Sequence, residues 1–298
     1  SALRPSDVFC RYGGDEFCII LPETDQQKAS DIAHKIRQTV YDAYYDGQEY
    51  LPNQNLAISI GVAGPNKETE NYNDLIEHAD MALYRAKFLR RNKVEVYSSV
   101  FDQLKQLDDK SVSDVVLKPL KALITVINSR DVYTYNHVER VVRYCSIMAD
   151  HLQLSREDTR LLMYSAYLHD LGKINIPKEI LISDKPLTEQ QWNELKRHPV
   201  DSAEIVKQID GLEDVVPIVL AHHERYDGTG YPQGLKGNNI PYLARILTVV
   251  DSFDAMTNQS PYQKIKTFEQ AFEEIRRCKG TQFDPDIAEQ FIEAIQSL

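Results

Sequence analysis

Residues 222–232 read His-His-Glu-Arg-Tyr-Asp-Gly-Thr-Gly-Tyr-Pro, and the prediction of the fold starts from this stretch. Its two histidines belong to a set of metal-type side chains in the back two-thirds of the chain: His137, His169, Asp170, His198, His222, His223 and Asp251. Five imidazoles and two carboxylates are about what two divalent metal ions require from a protein. A dinuclear centre in turn indicates phosphoester hydrolysis.

The candidate ligands fall on the apolar faces of predicted helices. His169 follows Ala166 at helical spacing, and Asp251 follows Ala244 and Leu247 in the same way. Buried carboxylates and histidines are costly unless they are paired or bind a metal ion. Any one inward histidine is more often a hydrogen-bonded core residue, but the seven residues together favour a metal centre.

Composition limits the classes of protein that fit. The 298 residues suggest about two domains, and the net charge of −11 argues against general binding to DNA or RNA. We find no signal peptide and no apolar run near the roughly 18 residues that span a bilayer. The four cysteines are scattered without CxxC spacing, which is typical of a reducing compartment. We therefore expect a cytoplasmic protein without a membrane segment.

The pattern of the chain changes near residue 98. Residues 1–97 alternate strand-like and helix-like segments, and an upstream part is expected before them. Residues 98–113 are polar and are predicted to be a linker or a connecting helix. Residues 114–298 are almost wholly helical in pattern, with helix starts predicted at Ser155 and Thr188.

Within the front block, periodicity predicts individual elements. Residues 17–21 and 56–62 read as strands, and residues 94–97 as a closing strand. Residues 25–40 and 72–87 have the apolar spacing of helices. The front block is therefore predicted to be α/β.

Two motifs in the back block carry a resemblance to a known family. His-Asp-Leu-Gly-Lys at 169–173 resembles the HD signature of metal-dependent phosphohydrolases, and residues 222–232 resemble the defining stretch of the HD-GYP family. The resemblance covers roughly residues 110–298. HD-GYP proteins are phosphodiesterases that hydrolyse cyclic di-GMP, and the resemblance implies an all-α HD-type helical domain.

The resemblance implies roles for the matching positions. Asp170 would bridge two divalent metal ions, with His137, His169 and Asp251 on one and His198, His222 and His223 on the other. Iron or manganese fits these mixed ligands and is favoured, and zinc is the alternative on ligand type alone. Lys173 would steady the phosphate oxygens as a catalytic group beside Asp170. The implied substrate contacts are Tyr231, which can stack on a guanine, Gly230, Asp227 and Arg245, for which a surface ion pair is the alternative role.

The chain also departs from the family pattern. Some HD-GYP sites hold a third ion through a Glu four residues before the first histidine, where this chain has Tyr133, so two ions are favoured. The family often has Arg-Pro-Tyr-Arg after the last metal aspartate, whereas this chain has Ser260 and Gln263 at the two arginine positions. These neutral residues leave substrate affinity and choice open.

The front block resembles the C-terminal half of a GGDEF domain, the diguanylate cyclase signature. Residues 11–17 read Arg-Tyr-Gly-Gly-Asp-Glu-Phe, in which Gly13 and Gly14 would form a turn close to a nucleotide. Asp15 and Glu16 would hold magnesium against phosphates. Arg4 and Asp7 match the family's RxxD product-inhibition site, so these residues form a candidate regulatory nucleotide site.

Together these resemblances predict a partial α/β GGDEF domain at 1–97 followed by an HD-GYP domain at 114–298. The expected function is hydrolysis of cyclic di-GMP to pGpG, with GMP as a further product. The front block would be regulatory or structural, and a homodimer is a candidate assembly. The alternatives are a non-catalytic cyclic dinucleotide receptor, a phosphodiesterase for another cyclic dinucleotide such as cyclic GMP-AMP, and an HD-type nucleotidase.

Overall fold

The computed structural model describes residues 2–51, 54–65, 69, 71–88, 92–98, 104, 132–181, 183, 185–258 and 265–297, except the side chains of residues 84, 85, 88 and 132–136. The chain divides near residue 98 into two compact units. The predicted linker at 98–113 lies almost entirely outside the described residues.

The first unit combines short strands with two long helices. Strands β1 (Val8–Gly13) and β2 (Glu16–Ile20) form an antiparallel hairpin, and β3 (Ile60–Val62) pairs in parallel with β4 (Val94–Val96). Helices α1 (Gln26–Asp42) and α2 (Tyr72–Phe88) lie between these strands in the chain, with a 3-10 turn at Gln48–Tyr50. This order confirms the α/β prediction for the front block.

One part of the core of this unit is an aliphatic cluster between α1 and the strands β3 and β4. Ala29 and Ala33 of α1 are buried against Val62 of β3, and Val94 and Val96 of β4 pack on the same cluster. Burial of these side chains follows from the apolar spacing that predicted α1. The strand predicted at 56–62 is shorter than expected, because only residues 60–62 find a partner strand in β4.

The second unit is helical in its described part. Its α-helices are α3 (Val132–His151), α4 (Arg156–Leu168), α5 (Lys178–Leu181), α6 (Glu189–Leu195), α7 (His198–Val206), α8 (Val216–Leu220), α9 (Tyr242–Thr257), α10 (Phe268–Arg277) and α11 (Pro285–Gln296). Short 3-10 helices occur at Leu171–Asn175, Glu213–Val215 and Gly237–Asn239. The all-α prediction for this block is confirmed.

Helix α9 is the central element of the second unit. It packs against α3, α4, α8, α10 and α11, and most of its side chains are buried. Phe253 of α9 meets Tyr144 of α3 at 5.3 Å and Phe291 of α11 at 5.0 Å between ring centroids, in edge-to-face geometry. Such aromatic pairs add to the stability that burial alone provides. This core fixes α3 and α9, the helices that carry His137 and Asp251.

Side-chain caps define the helix starts near the predicted positions. Ser155 accepts a hydrogen bond from the backbone N–H of Asp158 at the start of α4. Thr188 and Gln191 form a complete capping box at the start of α6, as their spacing predicts. None of the helices in the described part of the chain has both the length and the apolar content needed to cross a membrane.

Candidate metal centre

The seven predicted metal ligands come from separate elements and meet in one cluster. His137 lies on α3, His169 and Asp170 follow α4, and the other ligands are His198 at the start of α7, His222 and His223 just after α8, and Asp251 on α9. Three groups have ligand atoms within 4.8 Å of one another. They are His198–His222–His223, His137–His169–Asp251, and His169–Asp170–His222.

Distances in the cluster define two triads on either side of Asp170. His198 Nε2 lies 3.0 Å from His223 Nε2 and 3.3 Å from His222 Nε2. In the other triad, His137 Nε2 lies 3.3 Å from His169 Nε2 and 3.2 Å from Asp251 Oδ1.

The Asp170 carboxylate faces both triads with different oxygens. Its Oδ1 lies 3.5 Å from His198 Nε2, whereas its Oδ2 lies 3.4 Å from His169 Nε2 and 3.6 Å from His137 Nε2. One carboxylate oxygen is therefore available to each triad. This is the arrangement that a residue shared by two metal ions requires.

Backbone carbonyls set the tautomer of three of these histidines. Nδ1 of His169 donates to Ala166 O at 2.7 Å, and Nδ1 of His198 and of His222 donate to Leu195 O at 2.7 Å and Val219 O at 2.6 Å. In each pair the carbonyl belongs to the residue three positions earlier. Because a carbonyl can only accept, Nδ1 carries the proton and Nε2 presents a lone pair to the cluster.

Converging lone pairs are the observation that fits a bound cation. His198 Nε2 and His222 Nε2 are only 3.3 Å apart, and neither carries a proton to share with the other. Two nitrogen ligands at right angles on an ion with metal–nitrogen distances of about 2.1 Å lie about 3 Å apart. The spacing and the chemistry of the donor set therefore suit divalent metal ions.

Burial keeps the histidines of one triad neutral. It lowers the pKa of His198 to about 3 and that of His223 to about 4. Burial also holds the pKa of His222 well below its ordinary value, and the neighbouring histidines act in the same direction. Neutral imidazole is the form that binds metal ions, so this triad keeps the required protonation state.

The carboxylates of the cluster remain ionised despite their burial. Burial by itself raises the pKa of Asp170, but that pKa is held well below its ordinary value, chiefly by the Lys173 ammonium. For Asp251 burial is likewise outweighed, mainly by His137, and the pKa is lowered. Burial lowers the pKa of His137, yet Asp251 and Asp254 raise it to about 10. This side of the cluster therefore requires positive charge from a proton or a metal ion.

Asp254 is a functional candidate that the sequence reasoning missed. This buried carboxylate accepts a hydrogen bond from His137 Nδ1 at 2.7 Å, from Arg140 Nε at 2.6 Å and Nη2 at 2.9 Å, and from Asn258 Nδ2 at 2.9 Å. A carboxylate behind a ligating histidine fixes its tautomer and ring orientation. The sequence did contain a signal for Asp254: it lies three residues after Asp251, and residues three apart share a helix face.

Close packing places His198 against the HD motif. A Cβ on Gly172 would lie 2.3 Å from His198 O and 2.6 Å from Ser202 N, so only glycine fits here. Ser202 Oγ donates to His169 O at 2.7 Å and accepts from Gly172 N at 2.7 Å. These contacts tie the end of α4 to the first turn of α7 and so connect the two triads.

A second residue missed from sequence, Glu224, organises the loop after the double histidine. Its buried carboxylate accepts hydrogen bonds from the backbone N–H groups of Gln233 at 2.6 Å, Gly234 at 3.1 Å and Leu235 at 3.0 Å. A Cβ on Gly230 would lie 2.2 Å from Arg225 N, so the loop folds tightly back on its own start. The predicted contact residue Gly230 therefore also has a packing role.

The remaining predicted substrate residues have different surroundings. The Tyr231 ring lies 5.0 Å from the His223 ring, beside the cluster. Asp227 instead holds the loop, accepting hydrogen bonds from Thr229 N at 3.0 Å and Thr229 Oγ1 at 2.6 Å. Arg245 forms an ion pair with Asp284, which fits the ion-pair alternative for this residue.

Lys173 contacts the centre directly. Its Nζ donates to Asp170 Oδ2 at 2.6 Å, and its side chain stays about one-quarter exposed. Ser260, Gln263 and the Tyr133 side chain lie outside the described residues.

The candidate regulatory residues of the first unit lie on and before the β1–β2 hairpin. Gly14 has φ +47° in the turn between the strands, next to Gly13 and Asp15, and Glu16 forms an ion pair with Lys87 at 3.0 Å. Near the start of the chain, Arg4 pairs with Asp7 at 3.0 Å and donates to Thr24 Oγ1 at 2.5 Å. Most hydrogen-bonding groups of Arg4 thus already have partners within the unit.

Comparison with known proteins places the chain in a class. Residues 121–287 match the HD domain family, and this match covers more than half of the chain, so the protein belongs to that family. Residues 1–93 match the diguanylate cyclase GGDEF domain. The predicted resemblance, an HD-GYP type domain preceded by a GGDEF portion, is confirmed.

Three relatives with assigned functions are similar over part of their length. A cyclic di-GMP phosphodiesterase of Thermotoga maritima is 32% identical over 70% of this chain and 57% of its own length. The response regulator RpfG of Xanthomonas campestris pv. campestris, a cyclic di-GMP phosphodiesterase, is 40% identical over 56% of this chain and 44% of its own length. The 3'3'-cGAMP-specific phosphodiesterase 3 of Vibrio cholerae is 31% identical over 60% of this chain and 38% of its own length. The chain thus spans about half the length of these relatives.

Proposed function

We propose that the protein is a metal-dependent phosphodiesterase that hydrolyses cyclic di-GMP to pGpG, with GMP as a further product. The observation that carries the proposal is the pair of triads on either side of Asp170, in which the unprotonated Nε2 atoms of His198 and His222 lie only 3.3 Å apart. The names of the Thermotoga and Xanthomonas relatives support the reaction and the substrate.

Two divalent ions are proposed as cofactors, with iron or manganese favoured for mixed histidine and carboxylate ligands. One ion would be held by His137, His169 and Asp251, the other by His198, His222 and His223, and both by Asp170. Bound ions of this kind polarise a phosphodiester and supply hydroxide from water near neutral pH. The protein's own contribution is to keep His198, His222 and His223 neutral and the carboxylates ionised.

Lys173 is proposed to position the phosphodiester. Its ammonium already lies 2.6 Å from Asp170 Oδ2, and its partial exposure lets a phosphate oxygen approach from solvent. A fixed cation at this place stabilises the negative charge that develops on the phosphate oxygens. Tyr231 is proposed to contact a base, since its ring lies beside His223 at the edge of the cluster.

The first unit is proposed to be a regulatory or structural GGDEF portion, with domains at 1–97 and 114–298 and a connection at 98–113. Magnesium is the candidate ion at Asp15 and Glu16. A cytoplasmic location and a homodimer complete the proposal. Arg4 would have to leave Asp7 and Thr24 before its guanidinium could bind a nucleotide.

The deciding experiment follows products from cyclic di-GMP by chromatography. The protein is purified without oxygen and loaded with Fe(II) or Mn(II), and 3'3'-cGAMP is tested in parallel because of the Vibrio relative. Asp170→Ala should abolish product, whereas Asp150→Ala, an exposed carboxylate on α3, should not.

The possible results separate the candidate functions. Formation of pGpG or GMP that Asp170→Ala removes supports the proposal. Binding of cyclic di-GMP by metal-loaded protein without any product would instead indicate a receptor. Faster turnover of 3'3'-cGAMP would assign a different cyclic dinucleotide, and hydrolysis of nucleoside monophosphates alone would indicate a nucleotidase.

A further inference from the structure

An exposed aromatic side chain and a lysine beside two aromatic rings lie near the metal centre. Trp192, the chain's one tryptophan, is 45% exposed on α6. Lys196 Nζ lies 5.6 Å from the centre of the Trp192 ring and 5.7 Å from the centre of the Tyr231 ring. In the described part of the chain, no carboxylate lies within ion-pair distance of Lys196. These three residues are called the aromatic–lysine cluster below.

The aromatic–lysine cluster is built onto the elements that hold the metal ligands. The Tyr231 ring lies 5.0 Å from the His223 ring. The last turn of α6 positions His198, because Leu195 O accepts the hydrogen bond from His198 Nδ1 at 2.7 Å. Lys196 is the next residue and the C-cap of α6. Lys196 is therefore two residues from the candidate ligand His198 and directly follows the residue that orients it.

The position of Trp192 is also fixed. The capping box of Thr188 and Gln191 sets the start of α6, and Lys196 N donates to Trp192 O at 3.0 Å. Residues four apart on a helix share a face, so Trp192 and Lys196 present their side chains together. A large exposed aromatic ring on an ordered helix is available for stacking without a large loss of conformational entropy.

The surroundings of Lys196 differ from those of other lysines. Lys207 and Lys236 also form no ion pair in the described part of the chain, so the lack of a carboxylate partner does not by itself distinguish Lys196. If the Lys196 ammonium lay over only one aromatic ring, an ordinary surface cation–π contact would explain its position. Here the ammonium lies near two rings, and one of them adjoins the metal centre.

We infer that the aromatic–lysine cluster binds the part of a cyclic dinucleotide that is not being cleaved. Lys196 donates to an oxygen of the second phosphate, and Trp192 stacks on the neighbouring purine. This inference rests on the proposed function and extends it to substrate selection. Stacking on an aromatic ring tolerates different bases, so the cluster selects cyclic dinucleotides over small phosphodiesters but does not distinguish guanine from adenine.

The experiment compares two substrates of the metal-loaded protein. Cyclic di-GMP reaches both the metal centre and the aromatic–lysine cluster, whereas bis(p-nitrophenyl) phosphate presents one phosphodiester and no base. For Lys196→Met, kcat/KM for cyclic di-GMP divided by kcat/KM for bis(p-nitrophenyl) phosphate should fall about 10-fold. The fall should come from a higher KM for cyclic di-GMP. Lys207→Met is the matched control, because Lys207 is likewise the C-cap of a helix, α7, and is exposed.

Variants of Trp192 test stacking separately. Trp192→Ala should lower the same ratio about 5-fold or more, and Trp192→Phe should restore part of the loss because it keeps an aromatic face. If Lys196→Met lowers kcat/KM equally for both substrates, the residue acts by holding α6 and His198, and the inference is wrong. The inference would also be wrong if Trp192→Ala and the wild type had the same ratio of kcat/KM for cyclic di-GMP to kcat/KM for bis(p-nitrophenyl) phosphate.

A binding measurement keeps the inference testable if turnover is not found. Because Trp192 is the chain's one tryptophan, its fluorescence reports directly on stacking, and stopped-flow mixing records it before turnover. Quenching by cyclic di-GMP that Lys196→Met weakens supports the inference even if the proposed hydrolysis fails. An unchanged emission at saturating cyclic di-GMP overturns the inference, whether or not product forms.

Discussion

Replacement of Asp254 by asparagine tests whether this carboxylate orients the candidate metal ligand His137 through the hydrogen bond to its Nδ1 atom. Asp254 uses both carboxylate oxygens: Oδ2 accepts from His137 Nδ1 at 2.7 Å and Arg140 Nη2 at 2.9 Å, and Oδ1 accepts from Arg140 Nε at 2.6 Å and Asn258 Nδ2 at 2.9 Å. An amide has one acceptor oxygen, so in either orientation its NH2 group meets donors. The variant keeps the size of the side chain and removes its charge and half of its accepting capacity.

The expected loss is in metal affinity. Removal of the partner behind a ligating histidine typically costs about 10–100-fold in metal affinity. Because the asparagine oxygen can still accept the hydrogen bond from His137, we expect the lower end, about 10-fold or about 1.4 kcal/mol. The assay is equilibrium competition for Mn(II) against a chromogenic chelator, with metal content measured after dialysis.

Asp284→Asn supplies the matched control. Asp284 is also buried and also pairs with an arginine, Arg245, but it contacts none of the seven candidate ligands. Asparagine preserves its role as N-cap of α11. Both variants should unfold at lower urea concentration, but only Asp254→Asn should lose metal affinity. Wild-type affinity in Asp254→Asn would refute the reasoning and leave Asp254 as a counter-ion of Arg140.

Three further predictions concern stability and pH. Gly172→Ala should lower the free energy of unfolding by about 1–3 kcal/mol in urea titrations, because its Cβ would lie 2.3 Å from His198 O. Glu224→Gln should cost about 1.5–3 kcal/mol in the same assay, because a charged acceptor of three backbone N–H groups is lost. The metal-free protein should lose stability as the pH falls from 6.5 towards 4. Over this range the unfolded histidines bind protons, whereas folded His198 and His223, with pKa values of about 3 and 4, do not.

Each of these predictions has a result that contradicts it. Gly172→Ala with wild-type stability and metal content would mean that α7 moves aside without cost. Glu204→Gln, at an exposed position, serves as the control for Glu224→Gln. Equal unfolding curves for the two variants would mean that Glu224 does not stabilise the loop. An unfolding free energy that does not change between pH 6.5 and 4 would mean that the two histidines take up protons in the folded state.

Local sequence was sufficient for much of the fold. Periodicity predicted α1 and α2 closely, because an apolar stripe on a helix depends on neighbours three and four residues away. The capping box at Thr188 was predictable for the same reason. The strand expected at 56–62 was too long, since a strand ends where its partner ends and the partner lies more than 30 residues further along the chain.

The sequence by itself determined which residues are candidate metal ligands. Residue type and spacing identify His137, the HD pair, His198, the double histidine and Asp251, because the motifs are local and their chemistry is specific. The tertiary structure decided what holds and surrounds them. Asp254 reaches His137 across 117 positions, and Ser202 reaches His169 across 33. The pairing of Arg245 with Asp284 and the approach of Lys196 to Tyr231 likewise depend on how helices and loops pack, which no local pattern encodes.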